Sequence, residues 1–134
     1  MTLRDKIANY FTIDGGDVVA VYLFGSHAAG KSRKGSDVDI GILFAAENPD
    51  LISKRINEII IDLPRLLRKD VHPVAMNRAG EGLLKQIFGK GECILVHDRK
   101  KLAHFKMVAY SKIANFSYYR NRMQNGLIRN IMEN

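Results

Sequence analysis

Seven apolar residues stand in an unbroken row from Val18 to Phe24, four of them valine or tyrosine and all suited to a pleated chain. The run is far shorter than the roughly 20 residues a membrane-spanning helix needs. Turn residues bound it on both sides, Asp14-Gly15-Gly16-Asp17 before and Gly25-Ser26 after. Such a segment reads as a strand covered on both faces, so the fold must place layers above and below one sheet. From Asp37 to Phe44 a second strand alternates: Val38, Ile40, Ile42 and Phe44 share one face, Asp37 and Asp39 the other. The 134 residues suffice for one domain with its own core.

The remaining periodicities fill in the order. Leu3, Ile7, Tyr10 and Phe11 fit a short amphipathic helix. After Asn48-Pro49-Asp50, the set Ile52, Ile56, Ile59, Ile60 and Leu63 keeps helical spacing, and Pro64 is expected to end or bend that helix. Val71 to Met76 reads as a third strand, which Pro73 assigns to an edge or a bulge. Asn77 to Phe88 reads as a helix with Leu83, Leu84, Ile87 and Phe88 inward, and Glu92 to His97 as a fourth strand. Cys93, beside Ile94-Leu95-Val96, is expected in the core. Leu102, Phe105, Val108, Ala109, Ile113, Phe116 and Tyr119 mark a final helix over about 100–125. The fold class is α+β: a small mixed, mostly antiparallel four-stranded sheet flanked by helices, in a single domain over 1–134.

Charge is uneven along the chain. Of the net +7, residues 1–97 hold thirteen basic and twelve acidic side chains, and residues 98–134 hold eight and two. The final segment therefore carries +6, and a basic terminal helix is suited to nucleic acid, an acidic protein or a phosphate-bearing ligand. One cysteine excludes an internal disulfide and a structural zinc cluster. Nothing at the N-terminus directs export, which implies a cytoplasmic protein with no membrane role.

The chemistry concentrates between Gly25 and Asp39. Two carboxylates two apart on a strand repel one another unless a cation lies between them, and oxygen ligands suit Mg²⁺, with Mn²⁺ as the alternate. Gly25 lets backbone N–H groups approach an anion, and Ser26 adds a hydroxyl donor. A phosphate cradle and an acid pair on adjacent strands are what nucleotidyl transfer requires. Lys31, Arg33 and Lys34 lie between them and could touch pyrophosphate.

Gly25-Ser26, ten residues, then Asp37-x-Asp39, with Ser36 before the first acid and the small run Ala28-Ala29-Gly30, resembles the signature of the DNA polymerase β-like nucleotidyltransferase superfamily. More narrowly, the chain is similar to minimal nucleotidyltransferase (MNT) proteins. Val71 to His97, with Asn77-Arg78-Ala79, looks like that family's second half. The resemblance implies an Mg²⁺-dependent enzyme. It would transfer AMP, or another nucleoside monophosphate, from ATP or another NTP to a tyrosine of a HEPN-domain toxin, and so serve as its antitoxin. It also implies nucleotide binding by Gly25, Ser26 and Ser36, and metal binding and catalysis by Asp37 and Asp39.

The family's third carboxylate has no plain counterpart. Alignment on Asn77-Arg78-Ala79 puts His72 in its slot, with Asp70 two residues earlier on the same strand face. Asp70 is assigned the role, reached by a register shift at Pro73, with His72 as the alternative proton acceptor. His27 stands where the family commonly has arginine. Two other readings stay open: a catalytically weak module that neutralises a HEPN toxin by complex formation, and a nucleotidyltransferase acting on a small molecule. Nucleic acid is not expected as substrate, though the basic helix leaves room for a nucleic-acid binder. The oligomeric state is not read from the sequence.

Overall fold

The computed structural model describes residues 1–13, 15–28, 30 and 37–133, and the side chains of these except 116–120 and 124–133. Along the chain, α1 (Leu3–Ile13) leads to β1 (Val18–Phe24) and β2 (Val38–Phe44), then α2 (Pro49–Leu67) and β3 (Val71–Ala75). A 3₁₀ turn at Met76–Arg78 precedes α3 (Glu81–Lys90), β4 (Glu92–Val96) and α4 (Arg99–Glu133). The four strands form one sheet in the order β3-β2-β1-β4. β1 is antiparallel to both its neighbours, and β2 and β3 run parallel. The architecture is the mixed α+β sheet that the sequence implies.

Every residue of β1 is buried, as its apolar run demands. One core joins Val21, Leu23, Val38, Ile40 and Ile42 to Ile7 and Phe11 of α1 and to Ile52, Ile59 and Leu63 of α2. The other joins Ala20, Tyr22, Phe24 and Leu43 to Met76, to Leu84 and Ile87 of α3, and to Leu102 and Ala109 of α4. The even residues of β2 thus face α1 and α2, and the odd ones face α3 and α4. Asp39 belongs to the odd set.

Helix α2 starts on Asn48, whose side-chain oxygen accepts from the N–H groups of Asp50 (2.9 Å) and Leu51 (3.4 Å). It does not end at Pro64 but runs on to Leu67, where Arg68 closes it in the left-handed conformation by donating to the Pro64 carbonyl at 2.8 Å. Proline deprives the Ile60 carbonyl of its donor, but Ile60 is exposed and water can take that role, while Leu67 gains burial in the core. Ile60 is accordingly outside the apolar face. Pro73 does mark an edge strand. Because the Val38 N–H reaches the Asp70 carbonyl (2.8 Å), alternate residues of β3 face β2, and the missing N–H of Pro73 falls on the outer edge.

Three further expectations change. Residues 76–80 form a 3₁₀ turn and a link, so α3 starts four residues later than its apolar spacing implies. Cys93 is exposed, its Sγ 3.7 Å from the Leu95 carbonyl, because β4 is an edge strand and its pairing with β1 shifts between Val21 and Tyr22. Helix α4 runs to Glu133, not to about 125, since the glycine at 126 costs only about 1 kcal/mol in a helix. Leu102 and Ala109 are buried and Phe105 and Ile113 partly so, whereas Val108 is exposed. The side chains of Phe116, Tyr118, Tyr119 and Arg120 lie outside those described.

Asn77 ties the 3₁₀ turn to the sheet. Its amide accepts from the Phe44 N–H at 2.8 Å and donates to the Phe44 carbonyl at 3.0 Å, both bonds partly buried. Asn77→Ala leaves both backbone groups without that partner and is expected to lower stability by about 2 kcal/mol. Urea unfolding followed by circular dichroism measures the loss.

Candidate active site

Gly25 follows β1 directly and adopts φ +73°, opening the turn of residues 25–28. On the adjacent strand Asp39 is paired with Phe24, so its side chain meets the first residue of that turn. The fit is close: a Cβ on Gly25 would lie 2.3 Å from Asp39 Oδ2. The glycine that can reverse the chain here is therefore also the one that makes room for the carboxylate. Met76 and Ile87 cover Gly41, two residues along β2, and the helical layer ends there. Asp39 is one pleat beyond it, with 32% of its side chain exposed, and Asp37 beside it has 44%.

His72 completes the group. It is the register partner of Asp39 across the parallel pair. Its Nε2 is 3.3 Å from Asp37 Oδ2 and its Nδ1 3.8 Å from Asp39 Oδ1. Of the two candidates for the third position, the structure brings His72 to the acids. Asp70 lies just ahead of β3, exposed, with its carbonyl bound to the Val38 N–H. β2 and β3 pair from Val38↔Val71 to Ile42↔Ala75 with no register shift at Pro73, so the slip that would carry Asp70 inward is absent. Ser26 is half-buried in the turn next to Gly25. Ser36, Lys31, Arg33 and Lys34 lie outside the described residues.

Burial raises the pKa of Asp39 above the ordinary carboxylate value, and the neighbouring Asp37 charge adds to the rise. His72 and His27 pull the other way. Asp39 is thus an acid held where its negative charge is uncomfortable, and a cation would relieve it. Among the described residues no three His, Cys, Asp or Glu side chains form a ready metal cage. The acids supply two oxygen donors, which suits a hard ion that takes its other ligands from water and phosphate.

Sequence reasoning missed Arg4. Its guanidinium meets Glu92 at the start of β4 (Nε to Oε2, 2.6 Å) and donates to the His27 carbonyl (3.4 Å). One exposed side chain of α1 thereby ties the Gly25 turn to the sheet edge. The partners lie 88 and 23 residues away, beyond any local pattern.

Residues 5–100 match the polymerase beta nucleotidyltransferase family, and they contain the turn, both acids and His72. The chain belongs to that family. No curated protein matches the sequence. Solved structures share the nucleotidyltransferase fold over nearly the whole chain. A toxin–antitoxin structure with AMP-PNP superposes with a TM-score of 0.71 at 22% identity, covering 98% of this chain and 99% of that one. A tri-AMPylated Shewanella oneidensis HEPN toxin in complex with MNT antitoxin gives 0.63 at 21%, over 96% and 95%. The toxin–antitoxin MntA-HepT gives 0.63 at 21%, over 96% of each chain. Within this nucleotidyltransferase, no helix among the described residues is long and apolar enough to cross a membrane.

Proposed function

We propose that this nucleotidyltransferase moves AMP from ATP to a tyrosine hydroxyl of a HEPN-domain partner and acts as that toxin's antitoxin in the cytoplasm. The observation that carries the reading is the Asp39 carboxylate packed against Gly25, which makes the anion-cradling turn and the acid pair one site. The likeness to a toxin–antitoxin pair holding AMP-PNP, and to an AMPylated HEPN toxin with its antitoxin, supports the donor and the acceptor. Both acids are open to solvent, which suits an acceptor carried on another protein.

Asp37 and Asp39 would hold Mg²⁺, or Mn²⁺. When bound, the ion neutralises charge on the α-phosphate and the departing pyrophosphate. The chain does the rest. Backbone N–H groups of the Gly25 turn and the Ser26 hydroxyl donate to the outer phosphates and hold them in line. The acceptor oxygen bonds to the α-phosphorus, the bond from that phosphorus to the β-bridging oxygen breaks, and pyrophosphate leaves with the electron pair. The hydroxyl proton passes to an imidazole nitrogen of His72.

Incubation with the co-purified partner, Mg²⁺ and [α-³²P]ATP tests this. Label on the partner is expected, and none from [γ-³²P]ATP, because the outer phosphates depart. A second reading, a weak catalyst that neutralises by binding, is favoured by imidazole in place of a third carboxylate. An intact complex that takes no label would establish it. His72→Ala is expected to slow labelling by about 10²-fold, and added free imidazole to restore part of the rate. A space-filling role would leave the variant indifferent to imidazole.

A further inference from the structure

We propose that a second site, a basic cleft between α4 and the far end of the sheet, binds single-stranded nucleic acid. The cleft has a volume of about 450 Å³ and borders Val19 at the start of β1 and Leu43, Phe44 and Ala45 at the end of β2. The acid pair lies at the opposite end of the same strands, some five residues or roughly 17 Å away. This is therefore not the nucleotidyl-transfer site.

Lys100, Lys101, His104 and Lys112 line one wall, all exposed. Lys100 and Lys112 stand roughly 18 Å from each other along the axis of α4, with His104 between them. Phe105 and Val108 lie between them and give an apolar surface against which bases can rest. Acidic groups are few. Glu47 lies on the rim, and the Asp98 carboxylate is occupied in capping α4, accepting from the Lys101 N–H at 3.1 Å. From Arg99 to Glu133 the helix carries eight basic residues against one acidic, a net +7 that equals the charge of the whole protein. Lysines beside an apolar wall that includes the Phe105 ring match a polymer carrying both phosphates and flat bases.

The test is fluorescence anisotropy of the full chain with fluorescein-labelled U₁₅ and dT₁₅ at 50 and 200 mM KCl, the two strands separating RNA from DNA preference. Three phosphate contacts predict a roughly 20-fold fall in affinity across that range. Lys100→Glu, Lys101→Glu and Lys112→Glu together are expected to weaken binding at least tenfold at 50 mM salt. Lys54→Glu, Lys85→Glu and Lys90→Glu, exposed lysines of α2 and α3 with the same total charge change, should cost no more than about threefold. Circular dichroism melts confirm that both triple variants fold. No binding of either strand at 50 mM, affinity indifferent to salt, or an equal loss in the control triple overturns the proposal. So does a cleft variant that keeps strand binding while losing the protein partner, because the face then belongs to that partner.

Discussion

Replacing Asp37 and Asp39 together by asparagine is expected to slow transfer of label from [α-³²P]ATP to the partner by at least about 10³-fold. Asparagine keeps the shape of each side chain and the strand pairing, and removes the two negative charges that a divalent ion needs. The partner should still co-purify, because a complex formed by surface contact does not depend on those charges. Stability should move the other way. The pKa of Asp39 is raised in the folded protein, chiefly by burial. The folded state then holds that proton more tightly than the unfolded chain does. Below the ordinary carboxylate range both states are protonated and the group contributes nothing; above the raised value the ionised acid subtracts stability. An uncharged amide lifts that penalty, so at pH 7 in EDTA the melting temperature of Asp39→Asn should equal or exceed that of the parent. The difference should close by about pH 3, below the ordinary Asp range. A variant that loses activity and also melts lower at pH 7 would mean that the acids hold the strands together.

What the sequence reveals follows from the range of the forces involved. The β1 run and the alternation of β2 are nearest-neighbour patterns; burial follows the first residue by residue, while in β2 it spares only Asp39, because α3 and α4 also cover Gly41 and Leu43. The pairing of Phe24 with Asp39 follows from two adjacent antiparallel strands, which is why the sequence alone joins the Gly25 turn to the acids. Parallel pairing of β2 with β3 sets a different problem, because the two strands are joined through the whole of α2 and no short turn sets their register. Asp70 and His72 share a strand face, and only the pairing of Asp39 with His72 decides which one reaches the acids. Arg55 illustrates the same limit. It sits among the apolar positions of α2, nearly buried, because Asp17 and Glu58, each 3.2 Å away, meet its guanidinium there. Helical spacing marks the face, but a partner 38 residues earlier in the chain is what lets a charge occupy it. Cys93 fails for the converse reason: an apolar neighbourhood in sequence carries no information about a strand shifted at a sheet edge.

Gly25→Ala is expected to destroy activity out of proportion to its cost in stability. Two effects act at once. A left-handed backbone costs an L-residue roughly 1–2 kcal/mol, and Gly25 sits at φ +73°. The new methyl would also lie 2.3 Å from Asp39 Oδ2 and 3.2 Å from its Cγ, so the carboxylate must swing away. That swing removes one of the two donors for the cation and breaks the approach of Asp39 to His72. Transfer should fall by about 10²- to 10³-fold, while urea unfolding shows a loss of only about 1–2 kcal/mol. Gly30→Ala separates the two effects. Gly30 has φ +70° and, among the described residues, nothing within 4 Å of the added carbon, so it carries the backbone strain without that collision. It should match Gly25→Ala in stability to within about 1 kcal/mol and keep transfer within a few-fold of the parent. Equal losses of transfer in both variants would trace the effect to a loosened turn, and the contact between Gly25 and Asp39 would then have no part in placing the acid.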